Sequence, residues 1–132
     1  MLKIIFLTPI LFFSPSICIA AESPEYSRYM KQVSMVETTL LKCIPDVNES
    51  PICYTSAEKD YDNIIKNIRK NHSSKVDLKL WQTINLGFEN RKKNCRSPHL
   101  DAGPTQLFYP YVDCLNTANH ALAITTIELH LK

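Results

Sequence analysis

Four cysteines, Cys43, Cys53, Cys95 and Cys114, follow what reads as a cleavable leader, and they bracket two segments in which a helical pattern breaks. An even number of cysteines behind a secretion signal, in a chain this short, reads as a disulfide framework. Thiols oxidise in exported compartments, and small domains bury too little apolar surface to be stable without help. Pairing Cys43 with Cys53 and Cys95 with Cys114 would staple two helical hairpins, whereas the two crossed connectivities require distant helix ends to meet. In the chain-entropy description each local bridge stabilises by roughly 3 kcal/mol.

Residues 1–20 have the layout of a signal peptide: Lys3 as the positive end, Ile4 to Phe13 as the apolar run, and Cys18-Ile19-Ala20 as the cleavage site. The mature chain then begins at Ala21, and residues 21–132 make one domain. Cys18 offers a lipoprotein as the competing reading, but Pro15-Ser16-Ile17 lacks the small residues that lipid attachment wants. The apolar run is too short to span a bilayer and no second one follows. The expected product is periplasmic or secreted, with no membrane anchor.

Loss of Lys3 with the leader takes the formal net charge from +2 to +1. Nucleic acid as a partner would call for a basic stripe, and this balance argues against it. The cluster Arg91-Lys92-Lys93, with Arg96, reads as the solvated end of a helix, where the dipole favours cations.

Apolar spacing is helical almost throughout. Ser23-Pro24 is a start signal, with Pro where its missing amide costs nothing, and Tyr26, Tyr29, Met30, Val33, Val36, Leu40 and Leu41 form the first stripe. Thr55 with Glu58 gives a capping box for a second helix carrying Ala57, Tyr61, Ile64, Ile65 and Ile68. Ser74 with Asp77 repeats the signature before Val76, Leu80, Ile84, Phe88, Arg91 and Cys95. Pro98, Gly103 and Pro104 mark a loop, and Pro110 is expected in the first turn of a last helix with Tyr111, Cys114, Leu115, Ala118, Leu122, Thr125 and Leu129 on its stripe. The expected fold is all-α, a small four-helix antiparallel bundle stapled by two disulfides.

Catalytic candidates are thin. Ser97, His99 and Asp101 sit too close together in one loop to align as a triad, and no nucleophile elbow accompanies them. His72, His99, His120 and His130 show no metal-binding spacing and read as surface residues. Glu58 and Asp62 share a helix face, which the dipole near a helix start explains. No cofactor and no metal is expected, and the chain does not read as an enzyme.

Cys43, a spacer, Ser50-Pro51-Ile52-Cys53, then Tyr61-Asp62 on a helix, with Arg91 shortly before Cys95 and Cys114-Leu115 before a final helix, resembles the LprI-type lysozyme-inhibitor domain of exported bacterial proteins. The likeness spans residues 40–130. It departs at Gly87 and Lys92, where the family usually has Trp and Asp, and in the last helix, which lacks the family's Arg. The resemblance implies a helical, disulfide-bonded inhibitor of lysozyme. Its matching Asp62 and Arg91 would make a partly buried ion pair joining the second and third helices, with bidentate geometry available to Arg. The alternative is that Asp62 faces water and pairs with Lys66 one turn on.

Phe108, Tyr109 and Tyr111 crowd the end of a proline-rich loop that also carries His99, beside the second cysteine pair. Rigid loops with aromatic anchors are what protein inhibitors present to clefts, so these four residues are the candidate partner-binding set; alternatively the rings cover the bundle end. The expected partner is a cell-wall hydrolase, either lysozyme or a secreted amidase toxin against which the chain would act as an immunity protein. Animal lysozymes are strongly basic and would be steered by an acidic face, which a net charge near +1 does not offer, and this favours the bacterial toxin. The other function class is a small secreted enzyme or ligand carrier with a cavity between its helices.

Overall fold

Ser23 caps the first helix as its sequence predicts. The hydroxyl accepts the Tyr26 amide at 3.1 Å, the Ser23 carbonyl accepts the Ser27 amide at 3.2 Å, and Pro24 fills the first helical position. The computed structural model describes residues 22–43, 50–95 and 104–132. Its helices are α1 (Pro24–Cys43), α2 (Ser50–His72), α3 (Leu78–Cys95) and α4 (Pro104–Leu131), with a single 3-10 turn, Ser73–Lys75, between α2 and α3. There is no strand among the described residues. The expected all-α four-helix bundle is what forms.

Three helix starts differ from the sequence reading. α2 begins at Ser50 rather than Thr55, because Ser50-Pro51 repeats the start signal of Ser23-Pro24. Asp77, not Ser74, caps α3: its carboxylate accepts the Leu80 amide at 3.0 Å and its carbonyl the Trp81 amide at 3.0 Å. α4 begins at Pro104, so Pro110 lies inside the helix rather than in its first turn. There the ring deprives the helix of one amide donor, a local cost that the long apolar helix following it outweighs.

Both local disulfides are present, joining Cys43 to Cys53 with Cα atoms 6.1 Å apart and Cys95 to Cys114 at 5.7 Å. The first ties the end of α1 to the start of α2. The second ties the end of α3 to the N-terminal half of α4.

α4 is the central helix and packs against the other three. That role explains its composition, since a helix apolar around most of its circumference must be covered on most sides. Ala118, Leu122, Ala123, Thr126, Ile127 and Leu131 are buried in it. Against them lie Tyr26, Tyr29, Val33 and Leu40 of α1 and Tyr54, Ala57, Tyr61, Ile64, Ile65 and Ile68 of α2. α3 packs mainly on α4 and has no buried residue; it contributes the partly buried Trp81 and Phe88, while Leu78, Leu80 and Leu86 are exposed. Leu80 is therefore off the stripe and Trp81 is on it.

The start of α1 and the end of α4 are tied together. The Ser23 hydroxyl donates to the Leu131 carbonyl at 3.3 Å, and the Tyr26 hydroxyl donates to the Glu128 carboxylate at 2.5 Å, which also holds Lys132 at 2.8 Å. This carboxylate is held below its usual range by the Lys132 ammonium first and the Tyr26 hydroxyl second.

Candidate functional site

Because α2 and α3 each pack on α4 rather than on one another, a cleft runs between them with α4 as its floor. Helical spacing of four turns Tyr54, Glu58 and Asp62 of α2 to one side of it. Asn85, Glu89 and Lys92 of α3 line the opposite side, and Tyr111, Leu115, Asn116 and Asn119 of α4 rise from below. The cleft has three lobes, of about 240, 470 and 310 Å³, and Glu58 borders all three. At one end it is lined by Lys93 of α3 and Leu115 of α4, close in sequence to the bridged Cys95 and Cys114.

The cleft's charges are partly paired. Lys92 reaches Glu89 at 2.7 Å, and Asp62 reaches Lys66, one turn on in α2, at 2.5 Å. This corrects the expected Asp62–Arg91 pair: Asp62 takes the alternative partner, and Arg91 is exposed. The physical reason is helix phase. On α3 the inward positions run Phe88, Lys92, Cys95, so the cation facing α2 is Lys92 and Arg91 turns outward.

Two amide atoms at the floor have no partner. Asn119 is only 6% exposed and its Nδ2 makes no hydrogen bond, and neither does the buried Oδ1 of Asn116 one turn earlier. Each is a polar group that folding took out of water without replacement.

Of the candidate partner-binding residues, His99 lies outside the described residues. Phe108 and Tyr109 fall within the first turns of α4, and their side chains too lie outside the described residues. Tyr111 is half-buried and borders two lobes of the cleft. Helix begins at Pro104, so the part of the expected proline-rich loop from Pro104 onwards is helical.

The histidines also need correcting, because none of the three described ones is a plain surface residue. His130 is 1% exposed, with Nδ1 2.8 Å from the Thr126 carbonyl and Nε2 3.0 Å from Arg69. His72 lies 3.0 Å from Glu25, and His120 lies 3.8 Å from Glu37 while meeting the buried Tyr61 ring edge-on at 5.7 Å. Burial, with Glu37 nearby, pushes the Tyr61 hydroxyl up to about 12. The burial of His130 was legible: Asn119, Leu122, Ala123, Thr126, Ile127 and His130 recur at three- and four-residue spacing. Among the described residues no group of three or more side chains is placed to hold a metal ion, and no helix is long and apolar enough to cross a membrane.

No protein-family model, curated protein or solved structure matches this chain.

Proposed function

We propose that the chain is an exported protein, released from its leader at Ala21, that binds and inhibits a peptidoglycan-degrading enzyme in the periplasm or outside the cell. The target is a lysozyme or, better matched to a mature charge near +1, a secreted bacterial cell-wall amidase, against which it acts as an immunity protein. The observation that carries the reading is the Cys95–Cys114 bridge. It clamps the end of α3 to the segment of α4 that follows Phe108, Tyr109 and Tyr111, which restricts the backbone beside this aromatic stretch before any partner arrives. Pre-ordering removes much of the conformational cost of association, and aromatic residues supply the buried area that dominates protein interfaces. The LprI-type resemblance, resting on the same four cysteines, supports the same class of partner.

A pull-down from periplasmic extract, followed by mass spectrometry, tests the reading. It should recover a cell-wall hydrolase with the parent protein and lose it with a Phe108→Ala, Tyr109→Ala double variant, whose affinity should fall by about 2 kcal/mol, roughly thirtyfold. Recovery that is equal with both proteins would move the binding surface elsewhere. A second reading, a small ligand-carrying domain, draws support from the unpartnered amides at the floor of the cleft.

A further inference from the structure

The smallest lobe of the cleft brings together an unusual set of groups. Tyr54 from α2 and Tyr111 from α4 line it, Glu58 borders it, and Asn116 and Asn119 form its floor. Asn119 Nδ2 is a donor without an acceptor and Asn116 Oδ1 is an acceptor without a donor, both shut off from water just under the surface of a groove that their side chains line. Orphaned buried polar atoms cost a fold roughly 1–3 kcal/mol each. Such a cost at two neighbouring positions of one helix face is the kind of strain that persists at binding sites. The terminal torsion of Asn is soft, so a modest turn of either amide brings these atoms to the groove.

One donor and one acceptor side by side are the complement of a single secondary amide. Two tyrosines beside them provide ring faces and edges for a saturated ring. The Glu58 carboxylate, which has no ion-pair partner among the described residues, provides acceptors for hydroxyl groups. At about 240 Å³ the lobe has room for one ring rather than for an extended chain. We propose that this lobe binds an acetamido sugar, with its acetamide group on Asn119 and Asn116 and its ring between Tyr54 and Tyr111. The site goes beyond the inhibitor reading and stands whether or not the chain blocks a hydrolase.

The test is a titration of the disulfide-bonded, isotope-labelled protein with N-acetylglucosamine, with glucose and with N-acetylglycine methylamide, following the side-chain amide resonances of Asn116 and Asn119. N-acetylglucosamine should shift both saturably, and glucose, which lacks the amide, should not. Glu58→Gln, on an exposed position, should weaken binding at least fivefold without unfolding the bundle. Asn119→Leu should abolish binding while leaving the melting temperature unchanged or higher, because it removes an unpaired buried amide. If that variant fails to fold, Asn116→Leu with Glu58→Gln carries the same comparison. Equal shifts with glucose, a response to the methylamide alone, which would indicate a groove for a protein segment, or no saturable shift with any probe would each overturn the proposal.

Discussion

His130 of α4 accepts a hydrogen bond from Arg69 of α2 at 3.0 Å. A guanidinium only donates, so Nε2 is the unprotonated ring nitrogen, and Nδ1 carries the proton that it donates to the Thr126 carbonyl at 2.8 Å. Trp81 of α3 completes the cluster, with its ring edge-on to His130 at 5.5 Å and under the Arg69 guanidinium at 5.0 Å. Three helices meet through this one neutral imidazole.

That arrangement sets a pH dependence. Burial, aided by the Arg69 charge and opposed by the Thr126 carbonyl, holds the His130 pKa below its ordinary value. The unfolded chain therefore takes up a proton near pH 6.5 that the folded protein resists. Stability from this group is complete above about pH 6.5 and is lost as the pH falls towards the lowered folded value. Urea unfolding at pH 7.5 and pH 5 should show the parent protein losing stability on acidification, and His130→Gln losing less. Parallel losses in the two proteins would contradict the assignment of the acid sensitivity to His130.

Core and surface apolar residues should separate cleanly. Ile68 is fully buried between α2 and α4, and Ile68→Ala should cost about 2–5 kcal/mol. Leu86 is 58% exposed on α3, and Leu86→Ala should stay within about 0.5 kcal/mol of the parent. Equal effects in chemical denaturation would mean that α3 is rotated from the phase described.

At Gly87 an added Cβ meets nothing within 4 Å, and the residue lies in the interior of α3 with ordinary helical backbone. Gly87→Ala should therefore raise unfolding stability by about 0.5–1 kcal/mol, since alanine loses less backbone freedom on folding and obstructs nothing. Asp77→Ala should lower it by about 1 kcal/mol through loss of the α3 cap. A destabilised Gly87→Ala protein would mean that another surface covers that side of α3.

Much of the fold was legible because its signals are local. The Ser23-Pro24 start, the stripe of Tyr61, Ile64, Ile65 and Ile68, and the cysteine spacing each depend on near neighbours in sequence, and each is met in the structure. Helix starts at Ser50 and Pro104 were obscured by competing signals, Thr55 with Glu58 in one case and Pro110 in the other. The site was harder to read. Its floor depends on α4 being covered on nearly all sides, so a second stripe that includes Asn119, Thr126 and His130 is buried beside the one headed by Tyr111 and Cys114. Arg91 and Lys92 both continue a three- or four-residue spacing between Phe88 and Cys95, and the phase of α3 turns Lys92 inward and Arg91 to solvent.

The disulfides should resist rearrangement. Non-reducing peptide mapping should recover Cys43 with Cys53 and Cys95 with Cys114 and no free thiol. Removing the second bridge by Cys95→Ser with Cys114→Ser should cost about 3 kcal/mol in the chain-entropy description, and slightly less for the first bridge, whose loop is shorter. A Cys43 to Cys95 peptide would contradict the hairpin arrangement.

The central functional claim is tested most directly by titrating the purified protein into peptidoglycan suspensions being cleared by a cell-wall amidase from a competing bacterium and, separately, by an animal lysozyme. Inhibition of at least one enzyme that reaches completion near one equivalent, and weakens by roughly thirtyfold in the Phe108→Ala, Tyr109→Ala variant, is the predicted result. Undiminished clearing by both enzymes at a large molar excess of the protein would contradict it.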